Sequence, residues 1–460
     1  MARSSNIMGV KGPYEFEHVD VIALIEAVKL AERVKPAQQA KRDAFRRFNI
    51  LGTRRDPPLT AIFHSIMLRL GLIDCIVRDI TGVVNPLLLD ATLRAVLRVF
   101  IGLGVFCRDR VKFQDFNMIK NRVSQYLSEN SHPYSGMWFW DVVETLMKYE
   151  YKPRTPEDEL VAKYLLPTWY VRKIQNLIGE EHAEELFKAF LRVPKIAIRV
   201  NTLKSSVEEV FKAFQECGVK ELEVSRIVPT VIKFKGPFNF DRSNLVREGK
   251  IVVQDEAAAL AAILLDPKPG EVVVDIAAAP GGKTQFIGEL MRDEGIIYAF
   301  DVDQPRISKM RRLLKGTGVT IVRIYRRDGR DAPNLLGEDI ADKVLVDPPC
   351  SSDGTLMKNH DLRWRLVEDE VPKLAQLQYE LLLAGLRLLK RGGRLLYSTC
   401  SLLREENEDV VLRALKKRRD VRLIPLKGPY DEGFIEGTMR AWPQKHGTTG
   451  FFYALLIKEG

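Results

Sequence analysis

For a chain of 460 residues, cysteine and histidine are scarce, at five and six copies. The cysteines are Cys75, Cys107, Cys217, Cys350 and Cys400. No two form a CxxC pair and the histidines show no HExxH-type spacing, so no metal site is expected. An odd thiol count argues against a disulfide framework. No N-terminal stretch has the basic start, apolar middle and small-residue cleavage site of a signal peptide. No run of about eighteen apolar residues is present to span a bilayer. A cytoplasmic location without a membrane partner is therefore expected. Internal repeats and low-complexity tracts are absent.

What is present is a substantial core-forming fraction: 46% of residues are hydrophobic and 29% charged. The chain is too long for one ordinary core, which predicts two or three domains. A formal charge of +10 favours a polyanionic partner. Cys75, Cys107 and Cys217 sit in apolar or helical surroundings and read as small core filler.

Residues 1–150 read as an all-helical region. In DVIALIEAVKLAERV and DATLRAVLRVFIGLGVF the apolar residues recur at three and four. The proline-bearing YKPRTPEDE ends that region. Residues 156–253 read as a small α+β module, with a helix over YVRKIQNLIGEEHAEELFKAF, the strand KIAIRVN and the amphipathic SSVEEVFKAFQECGV. From 254 to 460 the rhythm is strand and helix in turn. EVVVD, IIYAFD, VTIVRIY, KVLVD and RLLYS alternate with helical segments, which predicts a parallel, doubly wound, Rossmann-like α/β sheet with ligands at the carboxyl ends of its strands. FFYALLIK, with no crossover helix before it, suits an antiparallel edge strand.

After EVVVD the residues Ala277, Ala278, Ala279, Pro280, Gly281, Gly282 and Lys283 form a small-residue turn into a helix. Such a turn lets backbone N–H groups approach a ligand closely. It is neither GxGxxG nor a Walker A motif. Asp301 ends the next strand, where a carboxylate can accept ribose hydroxyls. Asp328, in RRDGRD, follows the third strand within reach of an adenine amino group. Asp347 ends the fourth. Any one of these acids alone reads as a solvated loop residue; as a set they converge on one crevice. Cys350, in LVDPPCSSDGT, and Cys400, in LLYSTCSL, leave the tips of the fourth and fifth strands. Adjacent strands lie about 4.8 Å apart, so the two loops can bring both thiols into one pocket.

On these motifs the chain resembles the RsmB/Fmu (Sun) family of S-adenosylmethionine-dependent RNA cytosine-5 methyltransferases. DIAAAPGGKT, the Asp301 strand, RRDGRD, DPPCS and STCS match it, with RVN and VVQDEAAA upstream and FF near the C-terminus, over about residues 160–460. The resemblance implies a class I methyltransferase sheet, with S-adenosyl-L-methionine held by Ala277 to Lys283, Asp301, Asp328 and Asp347. The helical region resembles the NusB-like RNA-binding domain that accompanies this core in RsmB. Carbon 5 of cytosine is a poor nucleophile, so a thiolate first adds at carbon 6. In this RNA family the attacker is the TCS cysteine, here Cys400, and the PPC cysteine, here Cys350, assists release. DNA cytosine methyltransferases use the Pro-Cys thiol to attack instead. Asp347 is the implied acid at nitrogen 3, and Lys283 a positive charge near the thiols. The sequence departs from the family pattern at Ser352, where glycine is usual, and in KNHD, with Lys358 and His360 in place of arginine and proline. That stretch is expected to contact the surroundings of the target nucleotide, with His360 as a surface-loop residue.

A target base must be unpaired or extruded to meet a thiol. RNA affinity is expected from basic clusters, first KPAQQAKRDAFRRFNILGTRR, with Arg46, Arg47, Arg54 and Arg55, then Arg323 to Arg330 and Lys416 to Arg419. Phe45 and Phe48 within the first cluster read as core, and Arg199 and Asn201 as a frame for the RNA cleft. Ribosomal RNA is the first expected substrate and transfer RNA the second. A dehydrogenase would need a proper dinucleotide turn, a cysteine hydrolase a histidine partner, and a non-catalytic RNA-binding protein would need neither thiol.

Overall fold

A computed structural model describes residues 13–236 and 238–459. Residues 1–12 of the expected helical region lie outside the described residues. The chain divides into two compact units. One runs to Asn176 and includes Asn359–Leu366; the other comprises Leu177–Lys358 and Val367 onward.

The first unit is built by helices running from His18–Ala31 to Pro156–Tyr164. Their starts are capped by side chains. Asp90 accepts from the N–H groups of Thr92 and Leu93, and Asp115 from Met118. Thr155 and Asp158 form a capping box. Leu24, Phe45, Phe63, Ile73, Val96, Phe100 and Phe139 fill the core, each contributing roughly 1.5–3 kcal/mol through burial. Phe45 and Phe48 belong to this core, as their spacing suggested. A short parallel pairing of β1 (Tyr14–Phe16) with β2 (Val111–Phe113) is added to the expected helices. Buried charge is paired: Arg94 and Arg98 each reach Glu32 at 2.6 Å, and Arg98 also reaches Asp74 at 2.7 Å.

Asn359–Leu366 packs within this unit. The Trp364 ring lies so close to Gly71 that a Cβ there would meet it at 2.2 Å, and its Nε1–H donates to the Leu68 carbonyl at 3.2 Å. Asp361 accepts from the N–H of Ala37 at 3.3 Å. His360 is therefore not a surface-loop residue: it is half-buried and meets His64 edge-on at 5.9 Å. Burial lowers the His64 pKa to about 4, so that ring is neutral at pH 7.

In the second unit, β3 (Ile196–Val200), β4 (Lys220–Val224), β5 (Val231–Lys235) and β6 (Ile251–Val253) form an antiparallel sheet in the order β4-β5-β3-β6. Helix Val207–Glu216 buries Val210 and Phe214 against it. Cys217, expected as core filler, is exposed, because it caps that helix beyond its last buried turn. The helix expected over 170–190 is two helices, Thr168–Ile178 and Glu180–Phe190. Gly179 breaks them at φ 81°, a left-handed conformation that interrupts the helical path.

The large sheet comprises β7 (Val272–Asp275), β8 (Ile296–Asp301), β9 (Val322–Arg326), β10 (Ala341–Val346), β11 (Leu389–Thr399), β12 (Val421–Ile424), β13 (Asp431–Glu432), β14 (Met439–Ala441) and β15 (Phe451–Lys458). Its order is β13-β14-β15-β11-β10-β7-β8-β9, with β7 to β11 parallel. The central strands β7, β8 and β10 are mainly apolar and largely buried, as expected where helices cover both faces. β15 is antiparallel to β11 as expected, but it is interior rather than an edge. β14 and β12 both pair its far side, which is why most of its residues are buried.

Candidate active site

Strand register builds the site. β10 and β11 are neighbours with Val346 opposite Tyr397, so Asp347 and Ser398, one residue on, meet at the strand tips. The Ser398 hydroxyl donates to Asp347 Oδ1 at 3.3 Å. Beyond them the two loops bring the Sγ atoms of Cys350 and Cys400 to 3.2 Å. The Lys283 ammonium, from the first turn of helix Gly282–Leu290, lies 2.6 Å from Asp347 Oδ2. One half-buried pocket thus gathers two thiols, a carboxylate and a cation.

The environment separates the thiols. Cys350 is pushed well above the ordinary thiol range by its hydrogen bond to Cys400, by burial and by the negative charge of Glu406. Cys400 is lowered by its hydrogen bond from Cys350, against burial and the Asp347 carboxylate, with Lys283 helping. Burial works to lower the Lys283 ammonium, but the Asp347 carboxylate overrides it and holds the group above its usual value. Of the two thiols, Cys400 is the more acidic.

The crevice at the tips of β7 and β8 is lined by backbone. Gly281 has φ 98°, and a Cβ there would meet Met310 Cγ at 2.6 Å, so the turn into the helix admits no side chain. Asp301 accepts from the N–H groups of Ala279 at 3.0 Å and Asp303 at 2.9 Å. Asp275, at the tip of β7, takes the Thr284 hydroxyl at 2.6 Å on Oδ2, while its buried Oδ1 has no hydrogen-bond partner. A buried acceptor lacking a donor fits a ligand that brings one. The residues present therefore fit a ligand that brings hydrogen-bond donors to the strand tips.

Several residues expected to contact the cofactor or RNA have protein partners. Asp328 is held by its own Arg330, at 2.7 and 3.0 Å. Arg199 does not face an RNA cleft: it is fully buried, donates to Gln254 at 2.7 Å, pairs with Glu289 and stacks on Phe286. Asn201 is buried too and donates to the carbonyls of Gly249 and Thr317. In the first basic cluster, Arg55 is committed to the buried Asp20 at 2.5 Å. Lys358 pairs with Asp255 of the VVQDEAAA segment.

Sequence reading missed the residues that join the two thiol loops. The Gly354 N–H donates to the Cys400 carbonyl at 3.0 Å, and a Cβ there would meet the Gly450 carbonyl at 2.4 Å. Asp353 accepts from the Leu402 N–H at 2.9 Å. Ser352 adopts φ 58°, the conformation glycine holds without strain, with its hydroxyl 3.6 Å from Cys350 Sγ. Among the described residues no group of His, Cys, Asp or Glu is arranged to hold a metal, and no single helix is long and apolar enough to cross a membrane.

The parallel run β11-β10-β7-β8-β9, its antiparallel β15 and the crevice at the strand tips define a class I methyltransferase fold. Residues 262–457 match the family described as 16S rRNA methyltransferase RsmB/F, and residues 166–241 match its RsmF/B-like, ferredoxin-like domain. The chain is similar to a probable ribosomal RNA small subunit methyltransferase B of Bacillus subtilis (strain 168), at 30% identity over 66% of this chain and 69% of that protein. It is similar to the crystal structure of PH0851, with 47% identity, 97% and 100% coverage and a TM-score of 0.90. A methyltransferase homolog protein from Pyrococcus horikoshii matches 66% of this chain and 99% of its own at 34% identity, with a TM-score of 0.59. The chain belongs to the RsmB/F methyltransferase family.

Proposed function

We propose that the chain transfers a methyl group from S-adenosyl-L-methionine to carbon 5 of a cytidine in RNA through a covalent bond between Cys400 and carbon 6. The observation that carries this reading is the pair of sulfurs 3.2 Å apart beside the Lys283–Asp347 ion pair. S-adenosyl-L-methionine would be held by Ala277 to Lys283, Asp301, Asp328 and Asp347, with Asp275 beside them, and would supply an electrophilic methyl group. The Cys400 thiolate adds to carbon 6 and pushes electron density toward carbon 5 and the nitrogen 3 edge. Asp347, which accepts from the Lys283 ammonium, passes that ammonium's proton to nitrogen 3 and returns it once carbon 5 is methylated, the cofactor's sulfur keeping the electron pair of its broken bond to the methyl group. The carbon 5 proton then leaves to solvent and the bond from Cys400 to carbon 6 breaks. Cys350, as a thiol, hydrogen-bonds the departing sulfur.

Ribosomal RNA is the first substrate, supported by the names of the family and of the B. subtilis relative; transfer RNA is the second. The region 1–150 is read as a NusB-like RNA-binding domain. The module 156–253 helps frame the RNA cleft without Arg199 or Asn201, and 254–460 carries the transfer.

Cys400→Ala is expected to abolish methyl transfer. Cys350→Ala is expected to accumulate enzyme bound covalently to RNA, visible as a slow band with labelled RNA on denaturing gels. A slow band in Cys400→Ala instead reverses the two roles. Bisulfite sequencing with and without the enzyme locates the cytidine, and label on any other base refutes the reading.

A further inference from the structure

Glu406 follows the Cys400 loop and has no part in the chemistry above. Its side chain is fully buried. Oε2 accepts from the Ser351 N–H at 2.9 Å and from Gln378 Nε2 at 2.7 Å, and Oε1 accepts from the Ser401 hydroxyl at 2.9 Å. Ser351 is the residue after Cys350, and Ser401 the residue after Cys400. One carboxylate therefore grips both thiol loops immediately beyond their sulfurs. Its own carbonyl is fixed by the Tyr397 hydroxyl at 2.5 Å, and Gln378 also donates to the Pro349 carbonyl at 2.9 Å. The Ser351 hydroxyl donates to Asp353 at 3.0 Å and lies 3.1 Å from the Ser401 hydroxyl, which closes the network.

A carboxylate buried at such a place is costly to desolvate, and a hydrophobic residue would fill the space with less penalty. One donor from each thiol loop, with a third from Gln378 on helix Val371–Leu388, is what the charge secures. We propose that Glu406 is a positioning residue for the thiol pair, locking the Cys350 and Cys400 loops in one register so that the two sulfurs share a hydrogen bond. The inference rests on the two-thiol reading of the site.

The charge also gives the pair a direction. Glu406, with Asp353 behind it, stands on the Cys350 side; Lys283, with Asp347 and Asp275, stands on the Cys400 side; Tyr397 lies buried beneath. The negative Glu406 adds to what opposes ionisation of Cys350, whereas at Cys400 the hydrogen bond from Cys350 favours the thiolate against burial and Asp347, with Lys283 adding to it. Glu406 thereby helps to keep the proton on the thiol that assists release.

The test uses the full-length protein with Glu406→Ala and the isosteric Glu406→Gln. Glu406→Ala releases both loops and is expected to lower kcat about a hundredfold, the scale of an ångström-level misplacement, with KM for S-adenosyl-L-methionine unchanged. Glu406→Gln keeps an acceptor for Ser351 and is expected to restore most of kcat. The second readout needs no RNA: iodoacetamide labelling of each cysteine against pH, read by mass spectrometry. In the wild type Cys400 labels at lower pH than Cys350; in Glu406→Gln the Cys350 profile moves to lower pH, because a negative charge is gone. Wild-type kcat in Glu406→Ala, or an unmoved Cys350 profile in folded Glu406→Gln, overturns the proposal. Failure of the wild type to methylate cytosine refutes the two-thiol reading instead, and the labelling profile separates the two results.

Discussion

Arg199 gives a sharp test of how the second unit is held together. Its guanidinium is fully buried, donates to Gln254 Oε1 at 2.7 Å, pairs with Glu289 and hydrogen-bonds Gln285, with its Cζ 3.9 Å from the Phe286 ring centre. Arg199→Met keeps most of the stem volume and removes every donor. Glu289 then remains as a buried carboxylate with Thr202 and Gln285 as its remaining partners. Breaking one side of a buried ion pair costs about 3–5 kcal/mol, a large share of the roughly 5–15 kcal/mol that holds a domain folded. The assay is hydrogen exchange at the amides of β3 and helix Gly282–Leu290. At about 1.4 kcal/mol per tenfold, exchange through opening should accelerate between about a hundredfold and a few thousandfold. Adding Glu289→Met removes the stranded charge, so the double variant is expected to lose less than Arg199→Met alone. RNA affinity of the folded variant should match wild type, since Arg199 reaches no surface. Exchange accelerated by less than about tenfold, or a double variant no better than the single, refutes the reasoning.

Two further outcomes follow from charges at the crevice and the first basic cluster. Burial raises the Asp275 carboxyl from 3.8 to about 7, so between about pH 4 and 7 the folded chain holds a proton that the unfolded chain has released. This group's contribution to stability therefore falls as pH rises through that window and is level above it. Asp275→Asn should flatten that part of a Tm-against-pH curve, and an unchanged slope refutes the assignment. In the basic cluster, Arg46, Arg47 and Arg54 are exposed, whereas Arg55 serves Asp20. Neutralising the first three should reduce the slope of log RNA affinity against log salt by about 2–3, at roughly 0.7–0.9 per phosphate contact. An unchanged slope makes the cluster a solvated face.

The features readable from the sequence are those fixed by local pattern. A parallel sheet sends every strand tip to the same edge, so residues one to four positions past β10 and β11 had to meet once those strands were neighbours; Cys350 and Cys400 follow from that alone. Small residues after β7 announce a backbone-lined crevice by what they lack. Partner choice is another matter, because it is decided across the chain. An arginine in a strand reads the same whether it lines a cleft or meets a glutamate 90 positions on, so the pattern around Arg199 does not separate an RNA-cleft frame from a buried ion pair. KNHD looked like a substrate loop, yet Asp361 meets Ala37 across 324 positions and Lys358 meets Asp255 across 103. Glu406 sits in LLREEN, where one acid among several on a polar stretch carries no mark of burial. Its role appears only when Ser351 and Ser401, 50 positions apart, are seen on the two oxygens of one carboxylate. The thiol pair is thus set in two stages: strand order brings the loops together, and buried polar contacts with no sequence signature of their own decide how far apart the sulfurs stand.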